Sequence, residues 1–388
     1  MYYHSYLKTA IKLIEEFDGS IPLQHFLKKH FAANKKFGSK DRKHITDLCY
    51  TYFRLGHALM NLPVEEKILT TIFLCNQSSN GFIQHFKPEW NKNISLSLKE
   101  KLSIINYPCS ITDIFPWKEA LSEGVDHEKF CESFLVQPDL FLRIRPGNTT
   151  SVITKLSESN ISYQQIDETC IALDNSTKID QLLNINREVV VQDYNSQQVA
   201  RFFQPQTTDS KLQTLTAWDC CAGSGGKSIL LFDLNKNIKL MVSDIRESIL
   251  ANLKERFDEA GIKNYQSFIT DLTTFNFQRS TANYDLIVAD VPCTGSGTWS
   301  RTPEALSFFK EKEIERFGEL QKKILANIIP CLKKGGRLVY ITCSVFKQEN
   351  EGIVDFIQSN FNLKVEQMEI LKGYDKKADT MFGARFTA

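Results

Sequence analysis

The sequence has no Cys-x-x-Cys pair and no histidine beyond position 127. Without cysteines paired at metal-ligand spacing, no zinc site is expected. With His4, His25, His30, His44, His57, His85 and His127 all near the amino terminus, the C-terminal half cannot supply a Cys–His dyad or a Ser–His–Asp triad from its own residues. Any base there is a carboxylate, a lysine or water. No apolar run reaches the roughly 18–20 residues that span a bilayer. Met1–Ser5 is not a basic segment leading into an apolar core, the mark of a signal peptide. A cytoplasmic protein without membrane association is therefore expected, its ten cysteines mostly buried free thiols of a reducing compartment. An excess of charge is also missing: 47 Lys and Arg stand against 46 Asp and Glu, so the global balance gives no support for a nucleic-acid partner. No internal repeat or low-complexity tract interrupts the chain.

What is present is ordinary globular material, 42% hydrophobic over 388 residues, enough for two or three domains. Residues 1–125 read as helices. Gly38-Ser39-Lys40-Asp41-Arg42 reads as a helix start with Ser39 as N-cap, and Ile45, Leu48, Cys49, Tyr52, Phe53 and Leu55 recur at helical spacing. Charge is concentrated locally: Lys28, Lys29, Lys35, Lys36, Lys40, Arg42 and Lys43 fall within 16 positions, with Asp41 the only acid among them. That run is either a solvated helix face or a patch that contacts phosphates. Residues 126–205 read as a small α+β module, with strands at Phe141–Pro146, Ile161–Ile166, Cys170–Leu173 and Val189–Asp193 and a helix at Ser151–Ser159. From residue 206 to 388 strands, glycine loops and helices alternate. The strands are Leu215–Cys220, Ile238–Ser243, Tyr265–Thr270, Tyr284–Ala289 and Gly336–Ile341. This alternation predicts an α/β fold with a parallel sheet covered on both faces.

Three loops follow these strands. Cys221-Ala222-Gly223-Ser224-Gly225-Gly226-Lys227 ends like a phosphate-binding P-loop, but that motif needs glycine at 221, where cysteine stands. Its spacing is not Gly-x-Gly-x-x-Gly either. A nucleoside-bearing cofactor across the strand ends remains: glycines let a backbone approach a ligand closely. Asp244, 18 residues after Gly226, ends the next strand, where a carboxylate can accept from both ribose hydroxyls. Asp271 ends the third, where an adenine amine would fall. The other two loops carry Asp290-Val291-Pro292-Cys293-Thr294-Gly295-Ser296-Gly297 and Thr342-Cys343-Ser344. A thiol at the carboxyl end of a buried strand lies where ligands gather and can be tuned toward thiolate.

Taken together, Asp219–Lys227, Asp290–Cys293, Gly295–Gly297, Arg301-Thr302-Pro303-Glu304, Thr342–Val345 and Glu349-Asn350-Glu351 resemble the RsmB/Nop/Sun family of RNA cytosine-5 methyltransferases. Gln192-Asp193 with Ser196-Gln197 resembles that family's lead-in to its catalytic domain. The resemblance covers residues 189–388. It extends loosely upstream, where the helices around Gly38–Arg42 look like a NusB-like RNA-binding domain. It implies a class I, Rossmann-like methyltransferase domain, S-adenosylmethionine as cofactor and RNA as partner, with small-subunit ribosomal RNA favoured over transfer RNA and a monomer expected.

The resemblance also implies roles. Cys343 is the nucleophile that adds to carbon 6 of the base, Asp290 holds ring nitrogen 3 and the amino group, and Cys293 serves proton removal at carbon 5 and release. Cys221, Ala222, Gly223, Ser224, Gly225, Gly226, Lys227, Asp244, Asp271 and Asp290 bind the cofactor, with Lys227 orienting it or Asp290. Gly223-Ser224 stands where the family has Ala-Pro, a change expected to loosen the loop. Trp299 and Phe308 could stack on RNA; Phe308 reads rather as core packing, and Trp299 is left open between the two. Two rivals remain: a DNA cytosine-5 methyltransferase, in which Cys293 would be the nucleophile and Cys343 idle, and an RNA-binding scaffold without activity.

Overall fold

The computed structural model describes residues 2–203, 215–274 and 283–388. Two compact units emerge: Met1–Glu119 with Asp126–Gln137 and Thr298–Lys310, and Ala120–Val125 with Pro138–Gly297 and Glu311–Ala388. The sequence boundary drawn at 205/206 lies outside the described residues.

The first unit is helical, including Tyr3–Glu16, Leu23–Ala33, Ser39–Phe53 and Val64–Cys75. Leu7, Leu13, Leu27, Ile45, Leu48, Cys49 and Phe73 pack inside it. The helix at Ser39 is capped differently from expectation. Gly38 is the N-cap, and Asp41 reaches back to accept the Gly38 amide at 2.9 Å and the Tyr6 hydroxyl at 2.6 Å. The one acid of the basic run is thus committed to the fold, while all seven cations around it are exposed. Trp299 and Phe308, from the far half of the sequence, belong to this unit. Trp299 is 3% exposed against Phe115 and Phe309, so it is core. Phe308 is 39% exposed and packs its ring edges on Phe17 and Phe53.

The second unit holds two sheets. The smaller is antiparallel, with strands β1 (Leu140–Ile144), β2 (Gln164–Gln165), β3 (Cys170–Leu173) and β4 (Val189–Val191) in the order β2-β3-β1-β4. β2 is shorter than the sequence suggested, and β4 stops at Val191 because Asp193 caps the next helix, accepting from the Asn195 amide at 2.8 Å. The larger sheet has β5 (Thr216–Asp219), β6 (Lys239–Asp244), β7 (Tyr265–Ile269), β8 (Tyr284–Asp290), β9 (Leu332–Thr342), β10 (Lys364–Leu371) and β11 (Met381–Thr387). Their order is β10-β11-β9-β8-β5-β6-β7; β5 to β9 are mutually parallel, and β10 and β11 form an antiparallel hairpin on one edge.

The central strands read as continuous apolar runs because both faces are covered. Along β8, Leu286 and Val288 pack with the helices Gly226–Leu234 and Glu247–Ala260, whereas Ile287 and Ala289 pack with Lys312–Ile328 and Glu351–Asn360. Along β9, Val339 and Ile341 alternate with Leu338 and Tyr340 in the same way. The chain leaves β5 toward β6 and β7 on one side and returns to β8 and β9 on the other. The switch point lies between β5 and β8, and a crevice opens there over the carboxyl ends of the strands.

Buried charge ties the small sheet to the large one. Asp233, at 3% side-chain exposure, takes Arg143 at 2.8 Å and Arg145 at 2.7 Å, and Arg145 also donates to the carbonyls of Asn186 and Ala260. Desolved ions of this kind are stable only when paired and hydrogen-bonded. Gln192, Asn195 and Gln197 continue the seam: Asn195 donates to the carbonyls of Leu371 and Asp379, between β10 and β11.

Candidate active site at the carboxyl edge of the sheet

β8 and β9 run parallel with Asp290 paired to Ile341, so their carboxyl ends finish level. The loops beyond them bring two thiols, 50 positions apart in sequence, to 3.4 Å between Sγ atoms. Gly297 permits this approach. Its amide donates to the Cys343 carbonyl at 2.8 Å and its carbonyl accepts the Thr380 amide at 2.9 Å. A Cβ at 297 would stand 1.9 Å from the Thr380 oxygen. Both thiols are half-buried.

Lys227 and Asp290 face the same place. Lys227 Nζ lies 2.8 Å from Asp290 Oδ2, both side chains partly exposed at 17% and 25%. Burial acts to strip the Lys227 proton, but Asp290, Cys343 and Asp219 outweigh it and hold its pKa above the ordinary value. A permanent cation therefore sits beside Asp290 and within electrostatic reach of Cys343. Cys293 is treated differently. Its contact with Cys343, its burial and the charge of Glu349 all push its thiol pKa well up. Cys293, near that carboxylate, is thus favoured as thiol.

Gly223 takes φ +53° with nothing within 4 Å of where a Cβ would stand, a left-handed turn open toward the crevice. Its amide donates to Asp244 Oδ2 at 3.0 Å. Ala222 is pinned to the Ser243 carbonyl at 2.9 Å, and Gly226-Lys227 is already the first turn of a helix. The expected loosening at Ser224 meets a compensation. Arg256 donates to the Ser224 carbonyl at 2.8 Å and hydroxyl at 2.7 Å, and is itself held by Asn186. A proline would lack that hydroxyl.

Asp244 is 7% exposed at the end of β6. Burial alone would raise its pKa, but hydrogen bonds from Arg246 and the Gly223 amide outweigh it and leave it below the usual carboxylate range. Arg246 Nε stands 3.1 Å from Asp244 Oδ1 on a side chain that is 61% exposed, so a ribose could displace it at little cost. Asp271 lies two residues beyond β7. Thr270, its neighbour, donates to the Asp244 carbonyl at 3.2 Å, and Asp271 Oδ1 accepts the Thr273 amide and hydroxyl. Cys221 is half-buried at the start of the loop; Cys220 is core. No group of three or more metal-ligating side chains occurs among the described residues.

Three participants carry no motif of their own. Arg256 reaches Ser224 of the loop from a distant helix with Asn186 behind it, Arg246 covers Asp244 from two residues on, and a lone arginine has no signature in sequence. Asp219 and Glu349 lie inside quoted runs, and only burial singles them out. Asp219 is 1% exposed, accepts Ser228 Oγ at 2.6 Å, and has no partner for Oδ1 among the described residues.

Residues 203–384 match the family described as 16S rRNA methyltransferase RsmB/F. Over this segment the chain is similar to the RsmB/Nop/Sun family. It is 30% identical over 239 residues to the probable ribosomal RNA small subunit methyltransferase B of Bacillus subtilis, covering 60% of this chain and 52% of that protein. It is also 30% identical over 152 residues to the 28S rRNA (cytosine-C(5))-methyltransferase of Mus musculus, covering 38% of this chain and 19% of that one. The chain thus spans about half or less of the length of these curated relatives. The fold is shared with the crystal structure of PH0851 at a TM-score of 0.68 and 20% identity, over 98% of this chain and 97% of that one. The larger sheet accordingly has a Rossmann-like fold, the fold of methyltransferase domains, and members of the similar family use S-adenosylmethionine. The open turn at Gly223, the strand-end carboxylate of Asp244 and the Lys227–Asp290 pair suit that group: a place for a backbone-hugging ligand, an acceptor for a ribose, and charge near its reactive end.

Proposed function

We propose that this protein transfers a methyl group to carbon 5 of a cytosine in RNA, with small-subunit ribosomal RNA as the substrate class. The observation that carries the reading is the pair of thiols 3.4 Å apart beside the Lys227–Asp290 ion pair at the mouth of the sheet. Carbon 5 of cytosine is too poor a nucleophile to take a methyl group directly. Addition of the Cys343 thiolate to carbon 6 makes carbon 5 enamine-like, splitting one hard step into easier ones. Lys227 holds Asp290 at 2.8 Å, and Asp290 takes the base at ring nitrogen 3 and its amino group, where charge develops. Asp244 and the 221–227 loop, with Asp271 beside them, would hold S-adenosylmethionine, which would supply the methyl group. Cys293 acts in the second half, taking the carbon-5 proton so that Cys343 can leave. Cys293 rests as a thiol, so its own proton passes first to water, and the resulting thiolate, a strong base because its pKa is raised, accepts the carbon-5 proton as Cys343 leaves as thiolate. The target base must be unstacked to reach both sulfurs, so it lies in a loop, bulge or flipped position. Transfer RNA is the second substrate class for the same chemistry.

The exposed cations from Lys28 to Lys43 are the proposed phosphate contacts of the helical unit, which we read as NusB-like. The described residues contain no helix long and apolar enough to cross a membrane, and the reading carries a cytoplasmic monomer.

The test separates the thiols. With RNA and S-adenosylmethionine, Cys343→Ala forms no covalent species, whereas Cys293→Ala accumulates an RNA-linked protein stable to denaturing gels. Crosslinking by Cys343→Ala but not by Cys293→Ala reverses the assignment and favours the DNA-enzyme arrangement. Absence of methyl transfer by the unaltered protein to both ribosomal and transfer RNA favours the scaffold.

A further inference from the structure

Glu349 is fully buried, yet the mechanism above gives it no part. Its carboxylate accepts four hydrogen bonds. Two come from Thr294, the neighbour of Cys293: the amide at 2.9 Å and the hydroxyl at 2.6 Å. One comes from the hydroxyl of Ser344, the neighbour of Cys343, at 2.5 Å. The fourth comes from Gln321 Nε2 at 3.1 Å, which also donates to the Pro292 carbonyl at 3.0 Å. The Tyr340 hydroxyl lies between Gln321 Oε1 and the Glu349 carbonyl, at 3.0 and 2.6 Å. The main-chain groups on either side of Cys293, the Pro292 carbonyl and the Thr294 amide, are therefore both anchored through Glu349 and Gln321.

The Cys343 side does not depend on Glu349 to the same degree. It follows directly on β9, and Asn350 secures it separately. Asn350 accepts from the Thr342 hydroxyl at 2.6 Å and donates to the Ser344 carbonyl at 2.9 Å and to Ser122 at 2.8 Å. Loss of Glu349 should free Cys293 far more than Cys343.

We propose that Glu349 is a positioning residue that holds the Cys293 loop against the Cys343 loop. The catalytic consequence rests on the reading of these thiols as the reacting pair. Glutamine at 349 can preserve most of the geometry: its oxygen can face the Thr294 amide and Gln321, and the hydroxyls of Thr294 and Ser344 can turn to accept from its amino group.

The experiment compares Glu349→Ala, Glu349→Gln and Thr294→Val with the unaltered protein, each checked for folding by circular dichroism. The first readout needs no activity. The free protein is treated with dibromobimane, and peptide mapping gives the ratio of bridged Cys293–Cys343 to separately modified thiols. Glu349→Ala lowers that ratio by about tenfold or more, and Glu349→Gln restores most of it. Should Glu349→Ala fail to fold, Thr294→Val, which keeps the amide contact, lowers the ratio by a smaller factor. The second readout is a single turnover on RNA. Adduct formation through Cys343 persists in Glu349→Ala, and release slows by about 10- to 100-fold, so that the RNA-linked species builds up as in Cys293→Ala. A bridging ratio unchanged in a folded Glu349→Ala or Thr294→Val protein, or not recovered in Glu349→Gln, overturns the proposal. If Cys293→Ala itself traps no RNA, the reading of the thiols fails while the bridging ratio still decides the clamp.

Discussion

Replacing Asp219 by asparagine should change how stability depends on pH. Asp219 ends β5 under the glycine loop and is 1% exposed. Burial, reinforced by the nearby charges of Asp290 and Asp244, pushes its pKa from 3.8 up to about 7, against the opposing Ser228 hydroxyl and Lys227. In the unfolded chain the group ionises near its ordinary value. Below that value both states carry the proton and the residue contributes nothing to the pH dependence. Between 3.8 and about 7 the folded state keeps a proton that the unfolded state has lost, so stability falls as pH rises. Above that window both states are ionised and the penalty is constant. The interval is about three pH units at roughly 1.4 kcal/mol each, or about 4 kcal/mol as an upper bound. Asparagine removes this dependence and leaves one buried amide group short of a partner, at about 1–3 kcal/mol. Urea unfolding of both proteins from pH 4.5 to 8.5 measures the difference. The asparagine variant should be the less stable near pH 4.5 and gain on the parent by up to about 1.4 kcal/mol per pH unit until neutrality. A difference that stays flat would mean that Asp219 is ionised throughout, compensated by charge the geometry does not show.

Three further outcomes are expected. Neutralising Lys35, Lys36 and Lys40 together should weaken RNA binding and reduce the slope of log affinity against log salt by about 2, at roughly 0.7 per phosphate contact for single strands; an unchanged slope makes the run a solubilising face. Asp244→Asn should raise the dissociation constant for S-adenosylmethionine by at least about tenfold, since hydrogen bonds to a charged acceptor are worth about 1.5–3 kcal/mol; calorimetry showing the parent's affinity would remove the ribose from that carboxylate. Gly297→Ala puts a Cβ 1.9 Å from the Thr380 oxygen and 3.0 Å from the Cys343 oxygen, so the loop must shift. Thermal unfolding should show a loss of about 1–3 kcal/mol, with turnover reduced; an unaffected protein would place the loop elsewhere.

What could be read from the sequence follows from the range of each interaction. β8 and β9 were legible because a strand buried on both faces leaves an unbroken apolar run, and the loops after them because glycine and proline mark where a strand stops. The strand-end positions of Cys293, Cys343 and Asp244 come from those two local facts. The cap of the helix at Ser39 was misread by one position because Ser39 and Asp41 are both plausible acceptors, and only the fold shows that Asp41 takes the Gly38 amide. Thr298–Lys310 gave no sign of joining the helical unit, since the burial of Trp299 depends on Phe115, far off in the chain.

The least legible feature is the one on which the two thiols depend. Thr294 and Glu349 are 55 positions apart, and neither lies in a periodic pattern that would announce a contact. A buried carboxylate would ordinarily be selected against unless its hydrogen bonds were all satisfied. At Glu349 they are, and every donor comes from a segment next to one of the two cysteines or from the helix residue that braces them. Replacing that arrangement with apolar packing could match its stability, but not its direction: only fixed donors and acceptors define where a loop sits to a fraction of an ångström. Two sulfurs that must meet the same base in succession need that definition, which is a physical reason for a charge to lie buried behind them.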